Sequence, residues 1–166
     1  MRLDELAAEV DGARILGDGS VEVADLAYDS RKVEAGTVFF CSPGEKADGH
    51  DFAAAAVEAG AGALVVEREL DLDVTQVVVA DARAAMAPLA ARFFGDPTAD
   101  LRVVGVTGTN GKTTTAFLVR EILEAVGIAT GLLGTVKQVV AGAEESVERT
   151  TPEAIDLQAT FRRMLD

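Results

Sequence analysis

The stretch Thr107-Gly108-Thr109-Asn110-Gly111-Lys112-Thr113-Thr114-Thr115 lies between an apolar segment, 101–106, and an amphipathic one. This order predicts a buried strand, a tight glycine turn and then a helix. Backbone amides in such a turn point into one concavity, and the positive end of the helix dipole faces the same place. We therefore interpret the stretch as a phosphate-binding loop.

The residues at the end of this loop suit a nucleoside triphosphate. Lys112 would neutralise the outer phosphates, and the Thr113 hydroxyl, directly after the lysine, is placed to ligate Mg²⁺. The alternative is a glycine-rich turn with an incidental lysine. Strand, turn, lysine, hydroxyl and helix all occur in the required order, which favours the phosphate site.

Composition restricts the class of partner. The 166 residues contain 15 Lys and Arg against 28 Asp and Glu, a formal charge of −13, so nucleic acid and anionic membranes are not expected to bind. The first six residues carry acids where a signal peptide would be apolar, which predicts a cytoplasmic protein. The single cysteine, Cys41, follows Val38-Phe39-Phe40 and is expected to be a buried thiol in a reducing compartment.

Helical and strand patterns alternate along the first part of the chain, which predicts an α/β fold. The breaker-rich segment 95–100 marks a domain boundary, so we expect one domain at 1–97 and a second beginning at 101. The predicted helices are 3–10, 51–59 and 81–94, and the predicted strands are 21–23, 38–40, 63–66 and 76–79.

The second part predicts one βαβ unit. It consists of a strand at 101–106, a helix with Leu118, Ile122 and Val126 on one stripe, and a strand at 128–133. Beyond it, 142–148 is expected to be an acidic surface loop, in which Glu144, Glu145 and Glu148 are solvated rather than metal-binding. Thr151 is expected to cap a last helix, with Pro152 in its first turn.

Other segments, each taken alone, give weaker evidence of function. Asp29-Ser30-Arg31 is typical of a capped turn, and Arg31 with Lys32 suits either a diphosphate or solvent. His50 is expected to be a surface or helix-entry residue rather than a metal ligand, because no second histidine exists.

Four motifs that follow one another along the chain give stronger evidence of function together than separately. Asp29-Ser30-Arg31, the segment Gly44–Gly49, the loop Gly108–Thr114 and Thr150-Thr151-Pro152-Glu153 together resemble the Mur ligases, the ATP-dependent amide ligases of peptidoglycan assembly. Within that family, the motifs resemble those of the branch that adds the third residue of the stem peptide. The folylpolyglutamate synthase relatives fit less well, because they lack the Asp-Ser-Arg domain.

The resemblance implies a small N-terminal α/β domain at 1–97 that binds the UDP end of the substrate, followed at 101–166 by the first P-loop βαβ portion of a central ATPase domain. By the same resemblance, two sets of contacts are implied. The ATP contacts are Gly108, Thr109, Asn110, Gly111, Lys112, Thr113 and Thr114. The contacts to UDP-N-acetylmuramoyl-dipeptide are Ser30, Glu45, Lys46, Ala47, Thr150 and Thr151.

The implied reaction uses ATP and Mg²⁺ to convert a D-glutamyl carboxylate into an acyl phosphate, which the amine of diaminopimelate or lysine then displaces. Such a nucleotide-binding core normally has further parallel strands and a second metal carboxylate after the loop. We therefore expect the chain to be a fragment, inactive by itself and able to self-associate through uncovered sheet edges. The alternative is a non-catalytic module that binds a UDP-sugar or nucleotide and acts with a partner.

Overall fold

The computed structural model describes residues 1–44, 47–147 and 151–166. It divides into two compact units, Met1–Phe93 and Phe94–Asp166. Four residues singled out in the sequence, Glu45, Lys46, Glu148 and Thr150, lie outside the described residues.

The first unit alternates helices and strands, as the sequence predicts. Two 3₁₀ turns, Ser30–Lys32 and Gly49–Phe52, follow the second and third strands along the chain. The elements in chain order are α1 (Leu3–Ala7), β1 (Arg14–Leu16), β2 (Asp25–Ala27), β3 (Thr37–Phe40), α2 (Ala53–Glu58), β4 (Ala63–Val66), β5 (Thr75–Val78) and α3 (Ala82–Phe93).

A five-stranded sheet organises this unit, in the order β1-β5-β4-β3-β2. Strands β2, β3, β4 and β5 run parallel to one another, and β1 pairs antiparallel with β5. Every residue of β3 and β4 is buried, as expected for central parallel strands covered on both faces. The segments that follow β2, β3 and β4 therefore emerge at one edge of the sheet, where ligands of parallel α/β sheets usually bind.

The core of this unit contains Phe39, Leu64 and Val66 from the central strands, packed against Ala53 and Ala56 of α2. Cys41 lies in the same cluster with no exposed surface. Burial raises the pKa of its thiol to about 12, so the thiol is uncharged at neutral pH. The predicted buried thiol is confirmed.

One strand prediction in this unit was wrong, and one strand was missed. Segment 21–23 forms only an isolated bridge from Glu22 to Arg2, and the strand starts at Asp25 instead. Strand β1 was not predicted, because three residues with an exposed Arg14 carry too little periodicity to identify a strand. The strand predicted at 63–66 is confirmed as β4.

The second unit contains α4 (Pro97–Asp100), α5 (Lys112–Ala125), β6 (Lys137–Val140), β7 (Ala143–Ser146) and α6 (Ala154–Leu165). Strands β6 and β7 form an antiparallel hairpin. The predicted acidic loop is therefore partly a strand. The Glu144 side chain forms an ion pair with Lys137, and the Glu145 side chain forms one with Arg163.

The strands predicted on either side of α5 are not formed. Segment 102–106 has no regular structure, and in 128–133 only Leu132 pairs, with Val139. A parallel strand exists only when a neighbouring strand accepts and donates its backbone hydrogen bonds, and none of the described residues pairs with 102–106. The apolar stripe of α5 is accordingly exposed, with Leu118, Ile122 and Val126 each 59–69% accessible.

The last helix begins later than predicted. Glu153 is its N-cap, with no side-chain capping hydrogen bond, so Thr151 does not cap α6. Thr151 lies exposed before the helix and is free of that structural role. Within the described residues, every helix is too short or too polar to cross a membrane.

Candidate nucleotide-binding sites

The segment after β2 presents Ser30 at the edge of the sheet. Asp29 precedes it, and the Asp29 carboxylate accepts hydrogen bonds from the Arg31 backbone N–H (3.1 Å) and from Arg31 Nε (2.9 Å) and Nη2 (2.6 Å). This closed ring of contacts makes a tight turn with Ser30 as its middle residue. The Arg31 guanidinium therefore forms an ion pair with Asp29, although its side chain is 85% exposed.

The contact with Arg31 lowers the pKa of Asp29 from 3.8 to about 2. The folded state thus favours the ionised carboxylate, and the contribution to stability is complete above about pH 4 and is lost as the pH falls through about 2. We expect Asp29→Asn to lower the free energy of unfolding at pH 7 and to flatten its decline between pH 4 and pH 2. Urea unfolding followed by circular dichroism at both ends of this range measures the effect. Equal pH dependence in the variant and the wild type would contradict the assignment.

The segment after β3 forms a narrow loop at the same edge. Pro43 and Asp48 form an antiparallel bridge, the Gly44 N–H donates to the Ala47 carbonyl at 3.0 Å, and the Gly49 N–H donates to the Ser42 carbonyl at 3.0 Å. Ala47 is exposed on this loop. Since β2 and β3 are parallel neighbours, the predicted UDP contacts Ser30 and Ala47 follow strands that end at the same edge.

His50 is not a surface residue, but the helix-entry alternative is confirmed, because His50 lies in the 3₁₀ turn Gly49–Phe52 directly before α2. Its side chain is only 1% exposed and its ring Nδ1 lies 2.6 Å from Asp48 Oδ1. The described residues contain no group of three or more His, Cys, Asp and Glu that could hold a metal ion. Periodicity could not reveal this burial, although an aspartate two residues before the histidine is a spacing typical of a local side-chain turn.

An open groove of about 830 Å³ lies at the opposite edge of the sheet, where β1 ends and β5 begins. Its lining includes four acids, Asp18, Glu69, Asp71 and Asp73. Their combined negative charge disfavours a diphosphate ligand, since like charges repel in a shared groove. The edge that carries Ser30 is the better candidate for an anionic nucleotide.

The phosphate loop lies at the start of α5. Gly111 is the N-cap in a left-handed conformation (φ 79°), which glycine adopts without strain, and no side chain caps the helix. The first-turn amides of α5 therefore remain available to an anion. Lys112 folds back so that Nζ donates to the Gly108 carbonyl at 2.6 Å, which holds its charge beside the turn.

These features fit a nucleoside triphosphate with Mg²⁺. The uncapped amides would donate hydrogen bonds to phosphate oxygens, and Lys112 Nζ would exchange its carbonyl contact for a phosphate. Thr113, exposed in the first turn, would supply one hydroxyl ligand to Mg²⁺. Mg²⁺ commonly takes one or two protein ligands and completes its shell with phosphates and water, so the single hydroxyl is compatible with it.

Thr151 lines a separate groove of about 640 Å³ in the second unit, between the β6–β7 hairpin and α6. Asp156, Thr160 and Arg163 also line it. The groove offers hydroxyl groups, two acids (Asp156 and Glu145) and the guanidinium that pairs with Glu145, a set suited to a peptide or sugar with both donors and acceptors. Thr150 lies outside the described residues.

Comparison with known proteins places both units in one family. The sequence model described as "Mur ligase family, catalytic domain" matches residues 22–94 and the one described as "Mur ligase middle domain" matches residues 106–166. The chain belongs to the Mur ligase family. The resemblance carried by the four motifs is thereby confirmed, together with the α/β fold class.

Among curated Mur ligases, the chain is 46% identical over 166 residues to UDP-N-acetylmuramoyl-L-alanyl-D-glutamate–2,6-diaminopimelate ligase of Geobacillus kaustophilus. The match covers 100% of this chain and 34% of that enzyme. The chain thus spans about a third of the length of the curated relatives it matches.

Solved Mur ligases share the fold. A structure of UDP-N-acetylmuramoyl-L-alanyl-D-glutamate–2,6-diaminopimelate ligase is similar with a TM-score of 0.75 and 27% identity, covering 98% of this chain and 33% of that one. The MurF ligase of Thermotoga maritima in complex with ADP has a TM-score of 0.50 and 33% identity, covering 61% of this chain and 23% of that one.

Proposed function

We propose that this Mur ligase chain provides the substrate-binding and ATP-binding portion of a ligase that adds diaminopimelate to UDP-N-acetylmuramoyl-L-alanyl-D-glutamate. The observation that carries the proposal is an uncapped phosphate loop at Gly108–Lys112 within a chain that is 46% identical, along its whole length, to an enzyme of that name. Lysine in place of diaminopimelate is the competing amine, and direct competition in an assay of the complete enzyme distinguishes them.

The first unit, in this proposal, binds the UDP end of the substrate at the edge where β2 and β3 end. Ser30 lies in the turn that Asp29 and Arg31 close, Ala47 lies on the adjacent loop, and Glu45 and Lys46 directly precede Ala47 in the sequence. A serine hydroxyl both donates and accepts, which suits a uracil or phosphate oxygen. Thr150 and Thr151 would contact the muramoyl-dipeptide, with Thr151 in the groove beside α6.

The second unit binds ATP and Mg²⁺ in this proposal, through Gly108–Thr114. Support comes from the uncapped start of α5 and from the ADP complex of the related MurF ligase. A Mg²⁺ ion held there would supply positive charge that balances the charge of the phosphates. Lys112 would hold the transferring phosphoryl group and stabilise the charge that develops on it, while the Thr113 hydroxyl would fix the metal.

The proposed chemistry has two steps. The D-glutamyl carboxylate oxygen attacks the γ-phosphorus of ATP, the bond to the β-phosphate oxygen breaks, and an acyl phosphate and ADP form. The amine then attacks the acyl carbon, phosphate leaves, and the amine loses a proton as the amide forms. Alignment and charge stabilisation are the contributions that a protein makes to such a transfer.

The role of Ser30 leads to a binding prediction. We expect Ser30→Ala to weaken binding of UDP-N-acetylmuramoyl-L-alanyl-D-glutamate several-fold, because loss of one hydrogen bond costs about 0.5–1.5 kcal/mol. Isothermal titration calorimetry measures it. Ser20→Ala is the matched control, since Ser20 is a serine of the same unit whose hydroxyl donates to Asp18. Identical affinities of Ser30→Ala and the wild type would show that Ser30 does not contact the ligand.

The predicted inactivity of residues 1–166 by themselves also stays a prediction. We expect no phosphate release that depends on the amine when this polypeptide is mixed with ATP, Mg²⁺, the UDP-dipeptide and diaminopimelate. Amine-dependent release that disappears in Lys112→Ala would overturn it. A cytoplasmic location and self-association likewise remain proposals, to be checked by cell fractionation and by sedimentation.

A further inference from the structure

His50 uses both of its ring nitrogens inside the protein. Nδ1 lies 2.6 Å from Asp48 Oδ1, and Nε2 accepts a hydrogen bond from the Glu67 backbone N–H at 3.1 Å. A backbone amide can only donate, so Nε2 carries no proton. The proton is therefore on Nδ1, which donates to the carboxylate, and the ring is the neutral tautomer.

This pair of contacts connects two segments of the sheet edge. Asp48 belongs to the base of the loop after β3, where it bridges Pro43, and Glu67 directly follows β4. The contacts extend further, because Arg68 Nη2 donates to Asp48 Oδ2 at 3.2 Å and the Ala82 N–H donates to Glu67 Oε1 at 3.0 Å. The loop base is thus tied to the end of β4 and to the start of α3.

The charge on Asp48 supports the same arrangement. Hydrogen bonds from the backbone and side chain of His50 lower the pKa of Asp48 to about 2, so the carboxylate is ionised at neutral pH. Charge-assisted hydrogen bonds of this kind are stronger than neutral ones. His50 is buried whereas Asp48 is about a third exposed, so the link anchors a surface loop to the interior.

We propose that His50 and Asp48 act as positioning residues that hold the loop base, Gly44 and Ala47, in the conformation that receives the uridine end of the substrate. This inference rests on the proposed function of that edge as the UDP site. It assigns His50 no contact with the ligand and no part in the chemistry. Its effect passes through the backbone of the loop.

Two variants test the link, one from each end. His50→Phe keeps a buried ring but removes both hydrogen bonds, and Asp48→Ala removes the partner carboxylate, which is about a third exposed. Asp51→Asn is the matched control, because Asp51 is an exposed neighbour in the same 3₁₀ turn. Circular dichroism and ATP affinity serve as checks that both units remain folded.

The first measurement needs no ligand. Hydrogen exchange of the Gly44 and Gly49 amides, which donate within the loop base, should accelerate at least tenfold in His50→Phe and in Asp48→Ala and stay at the wild-type rate in Asp51→Asn. Unchanged exchange at these amides in both variants would overturn the inference, whatever the ligand measurements show.

The second measurement is the dissociation constant for UDP-N-acetylmuramoyl-L-alanyl-D-glutamate. Each variant should weaken binding roughly tenfold, and the double variant should weaken it no more than the larger single change, because the two residues act through one link. His50→Asn, which keeps a donor at the position of Nδ1, should restore part of the affinity. Wild-type affinity in His50→Phe, or additive losses in the double variant, would refute the inference. Absence of binding in the wild type would instead refute the proposed UDP site, and the exchange data would still decide the role of His50.

Discussion

Lys112→Ala is expected to weaken binding of ATP to this chain by roughly 10- to 150-fold. The lysine ammonium lies beside the turn, at 2.6 Å from the Gly108 carbonyl, and a hydrogen bond to a charged group contributes about 1.5–3 kcal/mol. Calorimetric titration with a non-hydrolysable ATP analogue and Mg²⁺ measures the loss. Binding of the UDP-dipeptide should remain unchanged, because its proposed contacts do not include the loop Gly108–Thr114.

The control for this experiment is Lys137→Ala. It removes the same charge from the same unit, but Lys137 pairs with Glu144 in the β6–β7 hairpin and takes no part in the loop. We expect its ATP affinity to stay within about twofold of the wild type. A similar loss in both variants would show that ATP responds to the overall charge of the unit rather than to a phosphate site at Lys112.

Gly49→Ala is expected to destabilise the first unit by about 3 kcal/mol and to abolish the affinity of the loop for the UDP-dipeptide. A Cβ at Gly49 would lie 2.6 Å from the Ser42 carbonyl oxygen and 2.7 Å from the Ser42 nitrogen. Both are backbone atoms that cannot rotate away, so the loop base must separate, and overpacking of this kind costs about 1–3 kcal/mol or more.

Gly105→Ala provides the matched control, because a Cβ there has no atom within 4 Å and the backbone is not left-handed. We expect it to leave the stability close to that of the wild type. Differential scanning calorimetry together with hydrogen exchange resolves which unit responds. Equal stability of Gly49→Ala and Gly105→Ala would contradict the close packing of the loop base.

Local spacing accounts for the predictions that succeeded. Strand β4 was predicted at its observed residues because a short apolar run between Gly62 and the charged Glu67 leaves few alternatives. The glycine turn before α5 was located because its glycines, lysine and hydroxyl are neighbours in sequence, and its binding of phosphate stays a prediction. Helix α5, which begins at Lys112, has the period expected of an amphipathic helix.

Predictions that depended on distant partners failed. Segment 101–106 has the composition of a buried strand, yet it forms no ladder, since none of the described residues pairs with it. His50 was predicted to be a surface or helix-entry residue, and the surface alternative failed because the Glu67 amide and Asp48 contact its two ring nitrogens. Thr151 had the position of a cap, although the backbone starts the helix at Ala154 and leaves the threonine in a groove.

By itself, the sequence determined the α/β class, the glycine turn before α5 and the Mur ligase resemblance, because each depends on residue order over short distances. Only the tertiary structure decided that Ser30 and Ala47 follow strands ending at one sheet edge, that Arg31 is paired with Asp29, and that His50 is hydrogen-bonded to Asp48 and to the Glu67 amide. The physical reason is that parallel pairing joins segments ten or more residues apart, and the environment of a side chain depends on which segments are joined.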